Sequence, residues 1–387
     1  DLHSFPTRRS SDLGNSALAT LYPKELVADA TTFNESMAGA TKFNNDYFAG
    51  PFKIKSYDES KQIITLERND KWWGAAPKLE TVTLHVLDDS ALGQAFANKE
   101  IDVLDYIFSA DVYQQASGRD DAEVRQNTGL QWRHIMFNAS SGPLADKAVR
   151  QAIVRATNRE AIATSDLAGL PVDAKKTLMG NRFFLPVQEG YVDNSADWSF
   201  DVEAAKKLLD GAGWVAGSDG VRTKDGERLE LVMTIPTNAP VATNEANLLQ
   251  KQLGEVGIAI TVSTVEIDKY FPEYINKKNY AMTAFTTENT QYPLSTVGHY
   301  YASTSQSNYT GQSVPEVDEH VTKIGSTPDG AERNKLANEL DKILWENVFN
   351  IPIYQRMQLT AVPKTLRNFG AQGLASFRPE NIGYVKS

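Results

Sequence analysis

From Gly50 onward the apolar residues of this chain switch repeatedly between a two-residue and a 3.6-residue period. That alternation of strand-like and helix-like stretches constrains the chain to layered α/β architecture. Phe52-Lys53-Ile54-Lys55-Ser56-Tyr57 alternates after Gly50-Pro51, and 63–66 is a second β-branched run beyond a turn at 58–61, which predicts a hairpin. Residues 81–87 alternate again, with Val82, Leu84 and Val86 on one face and His85 on the other. Ser90 is placed to cap a helix with Leu92, Ala95 and Phe96 inward, and 101–104 reads as a buried strand. At Asp146 the period changes: Val149, Ala152, Ile153 and Ala156 fall at i, i+3, i+4 and i+7, which predicts a helix with Asp146 as its cap.

Further helices are predicted from Asp201, with Gly211 or Gly213 to end it, over 247–256, stopped by Gly257, and from Asp329, with Leu336, Leu340, Ile343 and Leu344 inward. Asp225-Gly226 is a hairpin signal joining 221–223 to 229–232, and strands are expected at 258–265, 280–285 and after Ile351-Pro352-Ile353-Tyr354. The stretch 286–311 has almost no helical periodicity and reads as a long loop. Its Tyr292, His299, Tyr300, Tyr301 and Tyr309 make it too aromatic for simple disorder.

With 387 residues, two or three domains are expected at roughly 100 to 200 residues each. The formal net charge of −10 argues against nucleic acid as a partner. No run approaches the ~18 apolar residues that a spanning helix needs, and the absence of cysteine leaves no disulfide or thiolate site. Residues 1–13, DLHSFPTRRSSDL, follow no signal-peptide pattern and resemble the in-frame translation of a sequencing-library adapter.

Motifs of catalysis are missing. The five histidines, His3, His85, His134, His299 and His320, have no metal-ligand spacing, so no metal or cofactor is expected. There is no GxSxG elbow, phosphate loop or EF-hand, and Gly211-Ala212-Gly213 sits at a helix end, where it is half of a dinucleotide fingerprint at best. A carboxylate dyad assembled from distant segments stays open.

Four ordered segments resemble the extracytoplasmic solute-binding proteins of the oligopeptide, dipeptide and nickel type, the receptors of ABC importers. They are Gly50-Pro51-Phe52-Lys53 with Leu66-Glu67-Arg68-Asn69 and Trp72-Trp73-Gly74; Met136-Phe137-Asn138 with Val149-Arg150-Gln151-Ala152 and Asn158-Arg159-Glu160; the helix opened by Asp201; and Leu253-Gly254-Glu255-Val256-Gly257-Ile258. The resemblance implies an α/β, two-lobed periplasmic-binding-protein-like fold of the class with an extra domain, the first lobe incomplete. The segments would be 1–13 adapter-like, 14–42 leader, 43–135 partial first lobe, 136–354 second lobe and 355–387 return to the first. It implies binding without chemistry, with a peptide or related small solute enclosed between lobes, ABC permease subunits as partners, a monomer, and an extracytoplasmic location. The signal sequence, and any lipoprotein anchor, would precede this chain. The alternative is an extracytoplasmic hydrolase using a carboxylate pair.

By the same resemblance, the segment after strand 280–285 lines the cleft, which nominates Thr286, Thr287, Glu288, Asn289 and Tyr292. Matching on Pro293 puts Asn289 at the family's acidic, α-ammonium-binding position, with Glu288 one residue before it. Tyr354, Gln355 and Arg356 are candidates at the return crossing, Arg356 for a ligand carboxylate. Trp132 and His134, alternating on one strand, are candidates for the crossing before Phe137. Limited proteolysis is expected to spare 137–354 longer than 14–135; equal cleavage along the chain would contradict that division.

Overall fold

The computed structural model describes residues 24–25, 28–37, 45 and 48–385. The adapter-like string and most of 14–42 therefore lie outside the described residues. The chain divides into two compact units: Leu130–Met357, and the described residues up to Gly129 together with those from Gln358 onward.

In the latter unit, β1 (Phe52–Asp58) pairs antiparallel with β2 (Ile63–Arg68), and β2 with β3 (Thr81–His85). Helices Asp89–Ala97 and Ala110–Ser117 follow. The first starts one residue before Ser90, so Asp88 and not Ser90 takes the cap position. The expected strand at 101–104 is reduced to one bridge, Leu104 to Ala361. The N–H groups of Glu100 and Ile101 still bond the Ala95 carbonyl, so the chain is wound back on its helix where extension was expected. The chain passes between units within β4 (Ala122–Phe137), a strand of 16 residues, and again within a later strand.

The unit Leu130–Met357 contains β5 (Val215–Ala216), β6 (Arg222–Lys224), β7 (Glu227–Arg228), β8 (Glu230–Pro236), β9 (Ala259–Val265) and β10 (Met282–Glu288), and β11 (Asn350–Pro363) begins in it. Its main sheet has the order β11-β4-β10-β8-β9, with β4 antiparallel to β10 and β8 parallel to both β10 and β9. Parallel neighbours need a long crossover, and helix Pro240–Gly254 supplies it between β8 and β9. That helix begins seven residues before the expected 247, with Pro240 in its first turn, where the missing N–H costs nothing. Asp225 (φ 52°) and Gly226 (φ 84°) both adopt the left-handed region that a tight hairpin turn requires. The hairpin they close pairs β6 with the short β7, and β5 pairs with the other edge of β6. Residues 230–236 leave it for the main sheet, where Leu231, Met233 and Ile235 are buried.

Helices Lys147–Ala156, Arg159–Asp166, Val202–Gly211 and Pro240–Gly254 cover one sheet face. They pack Val149, Ile153, Ile162, Leu209, Leu249 and Leu253 with Ile135, Phe137, Met233 and Met282. Asp146 and Asp201 cap two of them by accepting from the N–H groups of Ala148 and Ala204. A second cluster joins Phe183, Phe184, Val297, Tyr301, Leu340 and Leu344 around helix Gly330–Asn347. It also explains why 286–311 is not wholly loop: Val297 and Tyr301, four apart, bury one side of a short helix, Val297–Tyr301. In the other unit β12 (Leu366–Arg367) pairs with β13 (Gly383–Tyr384).

A charge network lies under the helix layer. Arg133 on β4 donates to both carboxylate oxygens of Glu245, the Nε bond being 2.7 Å, and to the Ala284 carbonyl. Asp166 lies beside Glu245 and accepts from Asn244 Nδ2 at 2.8 Å, while its other oxygen is buried without a donor. Burial, and then the negative charge of Glu245, hold the Asp166 carboxyl up to about 7. Folding therefore favours its protonated form, and that contribution is lost as pH rises from about 4, the unfolded value, to about 7. Replacing Asp166 by Asn should remove this loss. In denaturant titrations the stability of D166N relative to wild type should grow by about 1 kcal/mol per pH unit across that window, then level off. A pH-independent difference would contradict the assignment.

Candidate functional site

The antiparallel ladder of β4 and β10 sets what each residue can reach. Residues directly opposite share a face, and successive residues change face. Met136 with Thr283, His134 with Phe285 and Trp132 with Thr287 therefore share one face, away from the helix layer. Phe137 with Met282, Ile135 with Ala284 and Arg133 with Thr286 share the other. On the first face lies a pocket of ≈ 30 Å³, walled by Trp132, His134, Met136, Thr287 and Asn289, by Arg182 and Phe183, by the aromatic stretch Tyr300, Tyr301 and Tyr309, and by Phe349 and Asn350. Every lining residue belongs to the unit Leu130–Met357.

The wall is held by internal bonds. Asn289 Oδ1 accepts from Trp132 Nε1 at 3.0 Å, its Nδ2 donates to the Phe183 carbonyl at 3.0 Å, and its N–H bonds the Leu130 carbonyl. Arg182 Nη1 donates to Asp341 at 3.0 Å, its Nε and Nη2 reach Asn350, and its guanidinium lies 4.3 Å over the Trp345 ring. Both members of the Arg182–Asp341 pair have fully buried side chains. His134 lies between Trp132 (4.8 Å, tilted) and Phe285 (4.5 Å, edge-to-face), with Nε2 2.8 Å from Thr287 Oγ1. Its Nδ1 is buried with no partner. Burial first, then Arg133 and Arg182, push the imidazole down to about 3, so it is neutral at pH 7.

Of the ten nominated residues, the pocket brings together Trp132, His134, Thr287 and Asn289. Thr286 points to the other face, its hydroxyl buried and without a partner. Glu288, opposite Gln131, is exposed and by strand alternation leaves on the face away from Thr287. Tyr292 is 44% exposed and outside the lining, which takes Pro293 instead. Tyr354 is buried in the helix-side core, and burial raises its phenol well above the usual range. Gln355 is buried, and Arg356 is half-buried, its guanidinium lowered by that burial against the favourable Tyr354. Arg182, Phe183, Phe349 and Asn350 carried no motif that would have nominated them. The aromatic density of 286–311 was the available signal for Tyr300, Tyr301 and Tyr309.

A mixed sheet of this order, with crossover helices on one face, is the fold of the two-lobed α/β binding proteins. The solved structure of the oligopeptide-binding protein AppA from Bacillus subtilis, in complex with a nonapeptide, superposes with a TM-score of 0.77 at 20% identity, over 95% of this chain and 72% of that one. The family model of the bacterial extracellular solute-binding proteins, family 5, matches residues 11–311, and the chain belongs to that family. Among curated relatives, the oligopeptide-binding protein OppA of Mycobacterium tuberculosis is 31% identical over 367 residues, 95% of this chain and 61% of its own. The dipeptide-binding protein of Escherichia coli is 23% identical over 345 residues, 87% of this chain and 61% of its own. The chain thus spans about three fifths of the length of these relatives.

Replacing Asn289 by Asp tests the internal role of this side chain. It removes the donor to the Phe183 carbonyl and buries a carboxylate there, which should cost about 2–3 kcal/mol at pH 7. The new carboxyl's folded pKa would lie above its unfolded value, so the deficit should shrink as pH falls towards 4. Unchanged denaturation midpoints at pH 7 would show that Asn289 is not held as described.

Proposed function

We propose that the chain acts as the solute-binding component of an ABC importer outside the cytoplasm, taking a peptide or a related small solute without chemical change and delivering it to permease subunits. Membership of the solute-binding family carries this reading. The named specificities of the relatives, oligopeptide and dipeptide, make peptides the leading solute class. The aromatic-walled pocket, whose lining includes no carboxylate, supports a binding rather than a hydrolytic role. Asp166 and Glu245 are neighbouring carboxylates, but they lie outside the pocket lining, with Glu245 fully buried and clamped by Arg133. Among the described residues no helix is long and apolar enough to cross a membrane.

Trp132, His134, Thr287 and Asn289 form the part of the solute seat that this unit provides. Glu288 leaves β10 on the opposite face and is not part of this seat.

Thermal denaturation of the chain with mixed peptides of three to nine residues should rise by several degrees, as ligand binding to the folded state requires. Mass spectrometry should show the peptides intact. New cleavage products would favour a hydrolase, and the absence of any shift would overturn the peptide assignment.

A further inference from the structure

Helix Arg159–Asp166 meets helix Pro240–Gly254 through a small set of polar side chains. Asn244 Nδ2 donates to Asp166 Oδ1 at 2.8 Å and to Ser165 Oγ at 2.9 Å. Asp166 Oδ2 is buried and has no donor. Its neighbour across the contact is the carboxyl of Glu245, fully buried and within hydrogen-bonding reach. Each Glu245 oxygen accepts one bond from Arg133, which leaves acceptor capacity on both. Two carboxylates in contact cannot satisfy one another, whereas a carboxylic acid and a carboxylate can.

The surrounding charges ask for the same proton. Arg133 is the cation that acts on Asp166, and its guanidinium is committed to Glu245 and the Ala284 carbonyl. From β11, Tyr354 faces Asp166 as a phenol that burial keeps neutral, and Arg356 is held against Tyr354. From residues 270–275, Tyr270 faces Arg133 and Glu245, its phenol pushed up to about 12 by burial and so also neutral. On the segment 174–177, packed against helix Arg159–Asp166, Lys175 and Lys176 are exposed and paired with Glu160 and Asp173. One shared guanidinium therefore serves two carboxyls, and burial, then Glu245, hold that of Asp166 up to about 7.

We propose that Asp166 is a protonated acid that donates through Oδ2 to Glu245, and that this hydrogen bond is a pH-sensitive latch between helix Arg159–Asp166 and helix Pro240–Gly254. The proposal stands on this cluster and does not depend on the identity of any solute. Above about pH 7 the proton is lost, two carboxylates face each other across the contact, and the end of helix Arg159–Asp166 is released. Opening that helix end returns the carboxyl to water, where it titrates near 4. The opening constant should therefore climb about tenfold per pH unit between pH 5 and pH 7 and level off above.

Carboxyl ¹³C resonances of the 387-residue chain, followed from pH 5 to pH 9, should show Asp166 Cγ and Glu245 Cδ moving together in one transition near pH 7. In D166N, whose amide nitrogen can donate at every pH, Glu245 Cδ should stay still across that range. Amide hydrogen exchange over 159–166, corrected for intrinsic rates, should show the tenfold-per-unit rise in wild type and none in D166N. An Asp166 transition below pH 5, or a Glu245 resonance that ignores it, would overturn the hydrogen bond. Joint movement of the two resonances with exchange that does not depend on pH in wild type would overturn the latch. If D166N does not fold, the wild-type resonances and wild-type exchange decide.

Discussion

The pleat of β4 is the constraint on which the unit Leu130–Met357 depends. Over residues 132–137 the strand sends Trp132, His134 and Met136 to one face and Arg133, Ile135 and Phe137 to the other. A shift of one residue against β10 would exchange the two sets, placing the indole under the helices and the guanidinium in the pocket. Burial on both faces makes that exchange costly. Ile135 and Phe137 are fully buried in the helix-side core, and His134 is fully buried opposite. Register is therefore held from both sides, and the pocket inherits its precision from a core it does not touch.

Buried charge does the complementary task of joining segments distant in sequence. Arg182 ties the 181–185 segment to helix Gly330–Asn347 through Asp341 and to β11 through Asn350. That tie presents the Phe183 carbonyl to Asn289, whose other end holds Trp132. Five segments thus meet at one wall through hydrogen bonds with defined directions. Removing one member of such a buried pair leaves an uncompensated charge, which is why networks of this kind specify geometry more than they add net stability.

The residues at which expectation and structure part share a cause. Caps and periodicity located the starts of helices Lys147–Ala156, Val202–Gly211 and Gly330–Asn347, because each buries a stripe that its own sequence displays and each begins at an Asp cap. They failed where a neighbour decided the outcome. Residues 230–236 alternate well enough for a hairpin partner but pair in the main sheet, and the helix Val297–Tyr301 exists because two side chains find a cluster built from elsewhere. Asn289 shows the same limit at the site. Its position beside Pro293 nominated it for the site and the structure places it in the pocket lining, but the bonds that hold its amide between Trp132 and Phe183 were not legible in the sequence.

By itself the sequence determined the α/β class, the main helices, the family resemblance and the face shared by Trp132 and His134, since each depends on local period, caps or ordered motifs. Tertiary structure alone decided which nominated residues meet. It gathered Trp132, His134, Thr287 and Asn289 with Arg182, Tyr301 and Asn350, turned Glu288 and Thr286 away, and left one imidazole nitrogen without a partner. The physical reason is that a strand's period assigns a face, while a pocket needs several faces from remote segments, and their meeting depends on long-range packing and buried hydrogen bonds that no local pattern encodes.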